Sequence, residues 1–435
     1  MPQTPSPAAP FLSISRRPGL RAAAVLGILI SGGCAGTAPA PSPAPVADIP
    51  ALEQRVARTP NDAAAAVRLG ATYRVAGRLD DARRVLEQAV QRAPRDGDAA
   101  LFLGLTLEDQ GDYAGARALY ERYTRTGAVP RVRAQLRDRL ALLDRRAREA
   151  EVRAALAQEA RLASTPPTPN SVAVFPFVFG GEDEMLRPLE RALAEFMVTD
   201  LASTGQLAVL ERARVQMLLD EIALAEGGRV DAATAARGGR LLRAAHVVQG
   251  HIGGGGQALR LEARVARVTP AGGEPTGDAV QERGALDALF TMQKALALGV
   301  FQRLGVQLAP GQRERVERRP TENLQAVLAY GRGLQAADAG DFDQAVRHFM
   351  EAAALDPGFA AARTQAAQSS GAARAATVTT AQLAAAAAAA TAVDPLAAAQ
   401  ALVPSTGVRD PVAEALGREG FRGVAGGVEL VIRRP

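Results

Sequence analysis

The residues whose types and spacing invite a chemical reading are His246 and His251, four glycines at 253–256, the acidic triplet Glu182-Asp183-Glu184, and the pair Glu211–Arg212. Two histidines five apart on an extended segment face opposite ways, so they do not share a metal. The glycine run lacks the Gly-Lys-Ser/Thr ending of a phosphate loop. A strand pattern follows it, so no helix N-terminus faces a phosphate there. The triplet precedes a helical pattern, where acids complement the positive end of the helix. His348 sits between Arg347 and Phe349 on a helical pattern and reads as exposed. The one cysteine, Cys34, directly follows a leader at 1–33, and its use as an anchor there would leave no Cys–His nucleophile pair. The expectation is a protein without catalytic residues, metal or cofactor.

The elements that must position these residues run from 171 to 268. SVAVFPFVFG (171–180) is strand-like and is followed by a helical pattern over 185–203. A short strand at 206–212 leads into a helix over 213–226, another helix follows Gly227–Gly228, and AHVVQGHI forms a third strand. ALRLEARVARV, with Leu259, Leu261, Ala263, Val265 and Val268, alternates as a half-buried strand and pairs with AHVVQGHI across the glycine turn. An amphipathic helix over 284–304 closes the stretch. Strands and helices alternating at these lengths predict an α/β domain with a mixed sheet and packed helices, bounded at 166–310.

Composition narrows the partners. The formal charge is +5, and removing leader residues Arg16, Arg17 and Arg21 leaves +2. With aromatics at 4% and no tryptophan, neither charge nor stacking surface favours nucleic acid. Residues 1–33 have the parts of an export signal: those arginines, an apolar run over 22–30, and Ser31-Gly32-Gly33 before Cys34. A cysteine there, ahead of the Pro/Ala spacer 34–50, resembles a bacterial lipoprotein box, although Ser31 stands where a leucine-like residue is usual. That resemblance implies lipidation of Cys34. Ala35 in place of aspartate implies the outer membrane, with the chain on its periplasmic face.

Internal repeats flank the α/β stretch. Gly70 and Gly104, Gly77 and Gly111, and Ala82 and Ala116 are each 34 apart, the tetratricopeptide period, which places repeats at 51–130. Gly333, Gly340, Phe342, Ala345, Phe349, Ala352 and Pro357 recover the same offsets in a further unit at 321–370. Tyr73, Leu107, Tyr113, Tyr120, Phe342 and Phe349 are the candidate protein-docking positions. Residues 131–165 mix arginine and acid at helical spacing and read as a solvated helix with a proline-closed linker. Residues 371–435 read as an alanine-rich tail with little distinctive packing, ending in a small hairpin across Ala425-Gly426-Gly427.

The central stretch resembles the CsgG/HfaB family of envelope lipoproteins, whose best-known member secretes curli subunits. The matching positions are Phe175 and Pro176 in SVAVFPF, Glu211, Arg212 and Glu221 in LERARVQMLLDE, Gly239 in the glycine-containing helix, and Gly250 in QGHI. TolB-like and FlgO-like domains share this layout. His246 and His251 depart from the family pattern. The turns around 253–257 and 271–278 are also too short for the family's barrel hairpins, whose strands need about 9–11 residues each. The resemblance implies an assembly or docking factor of an envelope secretion or curli-like system. Its partners would be envelope proteins, with a lipid-anchored membrane contact and possible homo-oligomers. The alternatives are a subunit of a CsgG-type channel and a TolB-like protein-binding module.

Overall fold

The computed structural model describes residues 49–226, 232–254, 258–269 and 272–391. Cys34, the leader and the hairpin expected near 425–427 lie outside them. The chain begins with α1 (Ile49–Arg58), then α2 (Ala63–Val75), α3 (Leu79–Arg92), α4 (Gly97–Asp109) and α5 (Tyr113–Thr126). Asp62, Asp96 and Asp112 cap α2, α4 and α5 by accepting backbone N–H bonds that the first turn leaves free. Gly77 and Gly111 turn the chain between helices at φ of 74° and 81°, a conformation that suits glycine.

The long helix α6 (Pro130–Ala157) and the short α7 (Glu159–Ala163) follow. Here the structure differs from the solvated helix expected from the charges. Val132, Leu136, Leu142, Leu143 and Val152 are buried, because α6 packs against α5 on one side and against a helix from the far end of the chain on another. Arginines other than the buried Arg139 lay their stems over apolar surface and turn their heads outward, which masks the apolar stripe in the sequence.

The sheet comprises β1 (Thr168–Val174), β2 (Val178–Phe179), β3 (Ala208–Val209), β4 (Ala244–Gly253), β5 (Leu259–Thr269), β6 (Gly272–Pro275) and β7 (Val280–Gly284). Its order is β3-β1-β4-β5-β6, with β2 also on β4 and β7 also on β5. β1 runs parallel to β3 and β4, while β5 is antiparallel to β4, β6 and β7. The β4–β5 hairpin pairs Val248 with Val265 and Ile252 with Leu261. The second strand is shorter than its pattern suggested, because α9 (Arg212–Glu226) already starts at Arg212. α8 (Leu189–Ala202) precedes β3, and α10 (Ala232–Leu241) precedes β4.

Alternation divides the sheet between two cores. Val172, Val174, Val248, Leu261 and Val265 share one with α8 and α11 (Leu289–Arg303). Ala173, Phe175, Val247 and Val268 share the other with α9 and α10. Between α8 and α11 the buried Lys294 places its Nζ 2.7 and 2.9 Å from the two oxygens of Asp200, and Gln293 donates to the same carboxylate at 2.8 Å. On β4, burial and the charge of Arg267 hold the His246 pKa below 6.5. The unfolded chain therefore binds a proton just below pH 6.5 that the folded chain resists. Stability from this group is full above the unfolded pKa and is lost as pH falls through the folded one. His246→Gln should flatten that loss. Identical slopes of urea midpoint against pH, between about 5 and 7, would refute the assignment.

After α12 (Pro310–Glu317) the chain returns to repeats with α13 (Leu324–Asp338) and α14 (Phe342–Leu355), then α15 (Ala360–Ala376) and α16 (Thr380–Thr391). Gly70, Gly104 and Gly333 face Leu86, Tyr120 and Phe349, in each case sixteen residues further along the chain. A Cβ on Gly104 would lie 2.6 Å from Tyr120, and one on Gly333 would lie 2.5 Å from Phe349. α5 lies on α6, α6 on α15, α15 on α14 and α14 on α13, so one helical array continues in space although the α/β domain interrupts it in sequence. The chain is thus an α/β domain with a mixed sheet and packed helices, set between tetratricopeptide-like helical repeats. α16 is no loose tail: it packs on α4 and α6.

Candidate protein-docking site

Asp338, the last residue of α13, joins the α/β domain to the array. Arg212 of α9 donates to both its oxygens, at 2.7 and 2.8 Å, and also to Glu195 of α8 at 2.9 Å. Arg191 of α8 adds a bond to Asp338 at 3.1 Å. The Arg212 and Asp338 side chains are only 5% and 7% exposed. Burial pushes the Arg212 pKa down, but Asp338 and Glu195 outweigh it, and the net direction is up. Arg145 of α6 donates to the Ala337 and Asp338 carbonyls at 2.9 and 3.0 Å, closing the end of α13. Three helices, α8, α9 and α13, thus meet at one carboxylate, and α6 binds the main-chain carbonyls beside it.

Apolar packing reinforces the junction. Phe196 of α8 stacks on Tyr330 of α13 at 6.2 Å and 12°, and Tyr330 in turn meets Phe349 and Phe359. Gly331 passes so close to the Pro188 carbonyl that a Cβ would overlap it. Helix propensity alone favours alanine over glycine by about 1 kcal/mol. Here backbone blocks the methyl, so Gly331→Ala should instead destabilise by about 1–3 kcal/mol, read as a lower urea midpoint. A raised midpoint would show that the two helices separate easily.

Beside the junction lies a cleft of about 1070 Å³ between α6, α9, α13 and α15. Arg137, Arg148, Glu149, Glu211, Asp220 and Glu221 give it walls of both charge signs. Such walls suit a polar, mixed-charge peptide segment better than an apolar small molecule. Burial raises the Asp220 pKa, although a bond from Gln216 opposes it. Among the described residues no group of three or more His, Cys, Asp or Glu is placed to hold a metal ion.

A second ionic centre lies inside the first repeats. Glu108 of α4, 1% exposed, accepts from Arg139 at 2.6 and 2.8 Å, from Arg146 at 2.8 Å and from Tyr120 at 2.9 Å. Burial, then the Glu108 charge, pushes the Tyr120 pKa well up.

Tyr73, Leu107, Tyr120 and Phe349, candidates for a docking face, are buried between helices, while Tyr113 and Phe342 are half-buried. Phe342 lines the cleft, with Arg145 over its ring at 5.9 Å. Of the central positions, Phe175 is buried and Pro176 half-buried. Gly239 and Gly250 leave no room for a Cβ beside Val247 and Phe177 respectively. Glu211 is exposed, bonded to Arg148 at 3.0 Å, and Glu221 is exposed on the cleft wall. Arg212 is therefore the one signature residue at the centre of the junction. Its partners Glu195 and Asp338 were not singled out by spacing. Glu108 did have a signal, following directly on the largely apolar run LFLGLTL.

Residues 67–130 match the tetratricopeptide repeat family. They span α2 to the start of α6. Residues 159–270 match the family described as curli production assembly/transport component CsgG, from α7 through β5. No curated protein matches the chain. β6, β7 and α11 complete the sheet beyond the second match, and α13–α14 repeat the glycine-on-large-residue packing beyond the first. The chain is a CsgG-like protein with tetratricopeptide repeats.

Proposed function

We propose that this chain is a non-catalytic docking factor of an envelope secretion or curli-like surface-structure system. It would be held by a lipid on Cys34 at the periplasmic face of the outer membrane. The reading is carried by the Arg212–Asp338 junction, which fastens a CsgG-like sheet to a repeat array so that both act as one body. A domain of the secretion type would then engage the envelope machinery while the array and the mixed-charge cleft hold a partner protein. Cys34 lies outside the described residues, and the lipoprotein-box resemblance supports its role. Among the described residues no helix is long and apolar enough to cross a membrane.

The test is light scattering during gel filtration on the unlipidated Cys34→Ser chain, followed by pull-down from envelope extracts. A monomer that captures an envelope protein, and loses it when cleft residues Arg137 and Arg148 are reversed to glutamate, supports the docking reading. A ring-sized oligomer would replace that reading with a channel subunit.

A further inference from the structure

The cleft between α6, α9, α13 and α15 lies where the α/β domain meets the helical array, and most charges on its walls are already matched. Arg145 pairs with Glu149 at 2.8 Å, Arg148 with Glu211 at 3.0 Å, and Asp144 with Arg117 at 3.0 Å. Four charges are left over. Asp220 and Glu221 stand on α9, and Arg137 and Arg153 stand on α6. Among the described residues none of the four forms an ion pair. The bonded partner of Asp220 is the neutral Gln216, at 2.7 Å, while Arg191 and Arg212 act on it only from a distance. Arg153 donates to a main-chain oxygen, that of Glu149, at 3.3 Å.

Beside Asp220 lies an acceptor that the fold does not use. Arg212, Gln216 and Asp220 follow at every fourth residue of α9 and so share one face. The outer two line the cleft, and Gln216 between them is 6% exposed. Its amide N–H donates to Asp220, and its Oε1 has no hydrogen-bond partner. Native folds leave few buried oxygens in that condition. Towards the cleft, α9 therefore offers two carboxylates and a spare amide oxygen, all acceptors. The α6 wall offers guanidinium donors. Each wall is complete only when something between them supplies the opposite groups.

We propose that this cleft binds a short partner segment carrying one arginine and one acidic residue, its guanidinium on Asp220, Glu221 and the Gln216 oxygen and its carboxylate on Arg137 and Arg153. A guanidinium presents five N–H donors in a planar fork and accepts nothing, which matches a cluster of acceptors, whereas an ammonium is a compact point charge. A segment of one charge sign would meet like charge on one wall. α15 contributes Ala367, Gly371 and Ala372 to the lining, small residues that leave width for the main chain of the segment. The inference rests on the docking role proposed above and names the chemistry of its ligand.

The probe is a set of fluorescein-labelled Gly/Ser peptides bearing one arginine and one glutamate at varied separations, titrated against the full chain. Matched sets carry citrulline or lysine in place of arginine. At least one arginine peptide should bind at least tenfold more tightly than its citrulline twin, and Asp220→Asn should weaken it at least tenfold. Asparagine keeps the shape and an acceptor for Gln216, and circular dichroism checks that the variant folds. Glu221→Gln, at a position exposed to solvent, gives a second reading in the same direction. Citrulline or lysine peptides that bind as tightly, no binding by any peptide, or a folded Asp220→Asn chain that binds as well as wild type would overturn the proposal. A wild-type dimer that Asp220→Asn dissolves overturns the partner assignment, because a second copy would then supply the arginine. Envelope-protein capture that survives Asp220→Asn overturns this site and leaves the docking role standing. Peptide binding without any such capture counts against the docking role and leaves the site standing.

Discussion

Replacing Arg212 with methionine should lower stability by about 3–5 kcal/mol, because Asp338 and Glu195 then stay beside the junction without their main counter-charge. Arg191 cannot restore the balance, since it already uses its single bond to Asp338 and lies nearer solvent. Urea unfolding followed by circular dichroism would read the loss. The double variant Arg212→Met, Asp338→Leu tests the cause, because it removes the more buried of the two unpaired carboxylates and should recover part of the stability, leaving Glu195, 22% exposed, to reach water. A single variant within about 0.5 kcal/mol of wild type would mean that water reaches the junction freely.

Glu108→Gln should cost a comparable amount, about 3–5 kcal/mol, because it leaves the Arg139 guanidinium, only 4% exposed, without an anion. Arg146 at the rim can turn to water, so Arg139 carries the effect. Arg139 also holds the Val378 carbonyl, and the loss should therefore spread to α16, whose amides exchange faster in the variant than in the wild type. Pairing Glu108→Met with Arg139→Leu should restore only part of the global stability, because the buried Tyr120 hydroxyl loses its acceptor, and it should not restore the tie to Val378. If exchange in α16 were unchanged in both variants, the ionic centre and the tail helix would be independent.

Much of this architecture is legible in residue patterns, and particular residues show where legibility ends. The alternation of β4 and β5 and the glycines of the repeats are local signals, so their elements can be read directly. β6 escapes because Gly272, Gly273 and Pro275 have poor strand propensity and pair at the edge beside β5. The charged face of α6 hides a stripe that is buried by α15, a helix some two hundred residues later. Arg212 is conspicuous beside Glu211, but its partner Asp338 comes from another element, and no spacing rule links them. The role of α16 is the least legible, because uniform alanine has no hydrophobic period to show which face turns inward.

Lys294 is the single lysine of the whole sequence, and it is closed between α8 and α11 on Asp200. The native surface therefore offers no lysine amine, and cross-linkers aimed at lysine side chains will not trap a partner even where one is docked. Carboxylate- or photo-activated reagents are the ones that can report contacts. Lys294 also becomes a built-in reporter, since its slow acylation would time the opening of the α8–α11 contact, one molecule and one amine at a time.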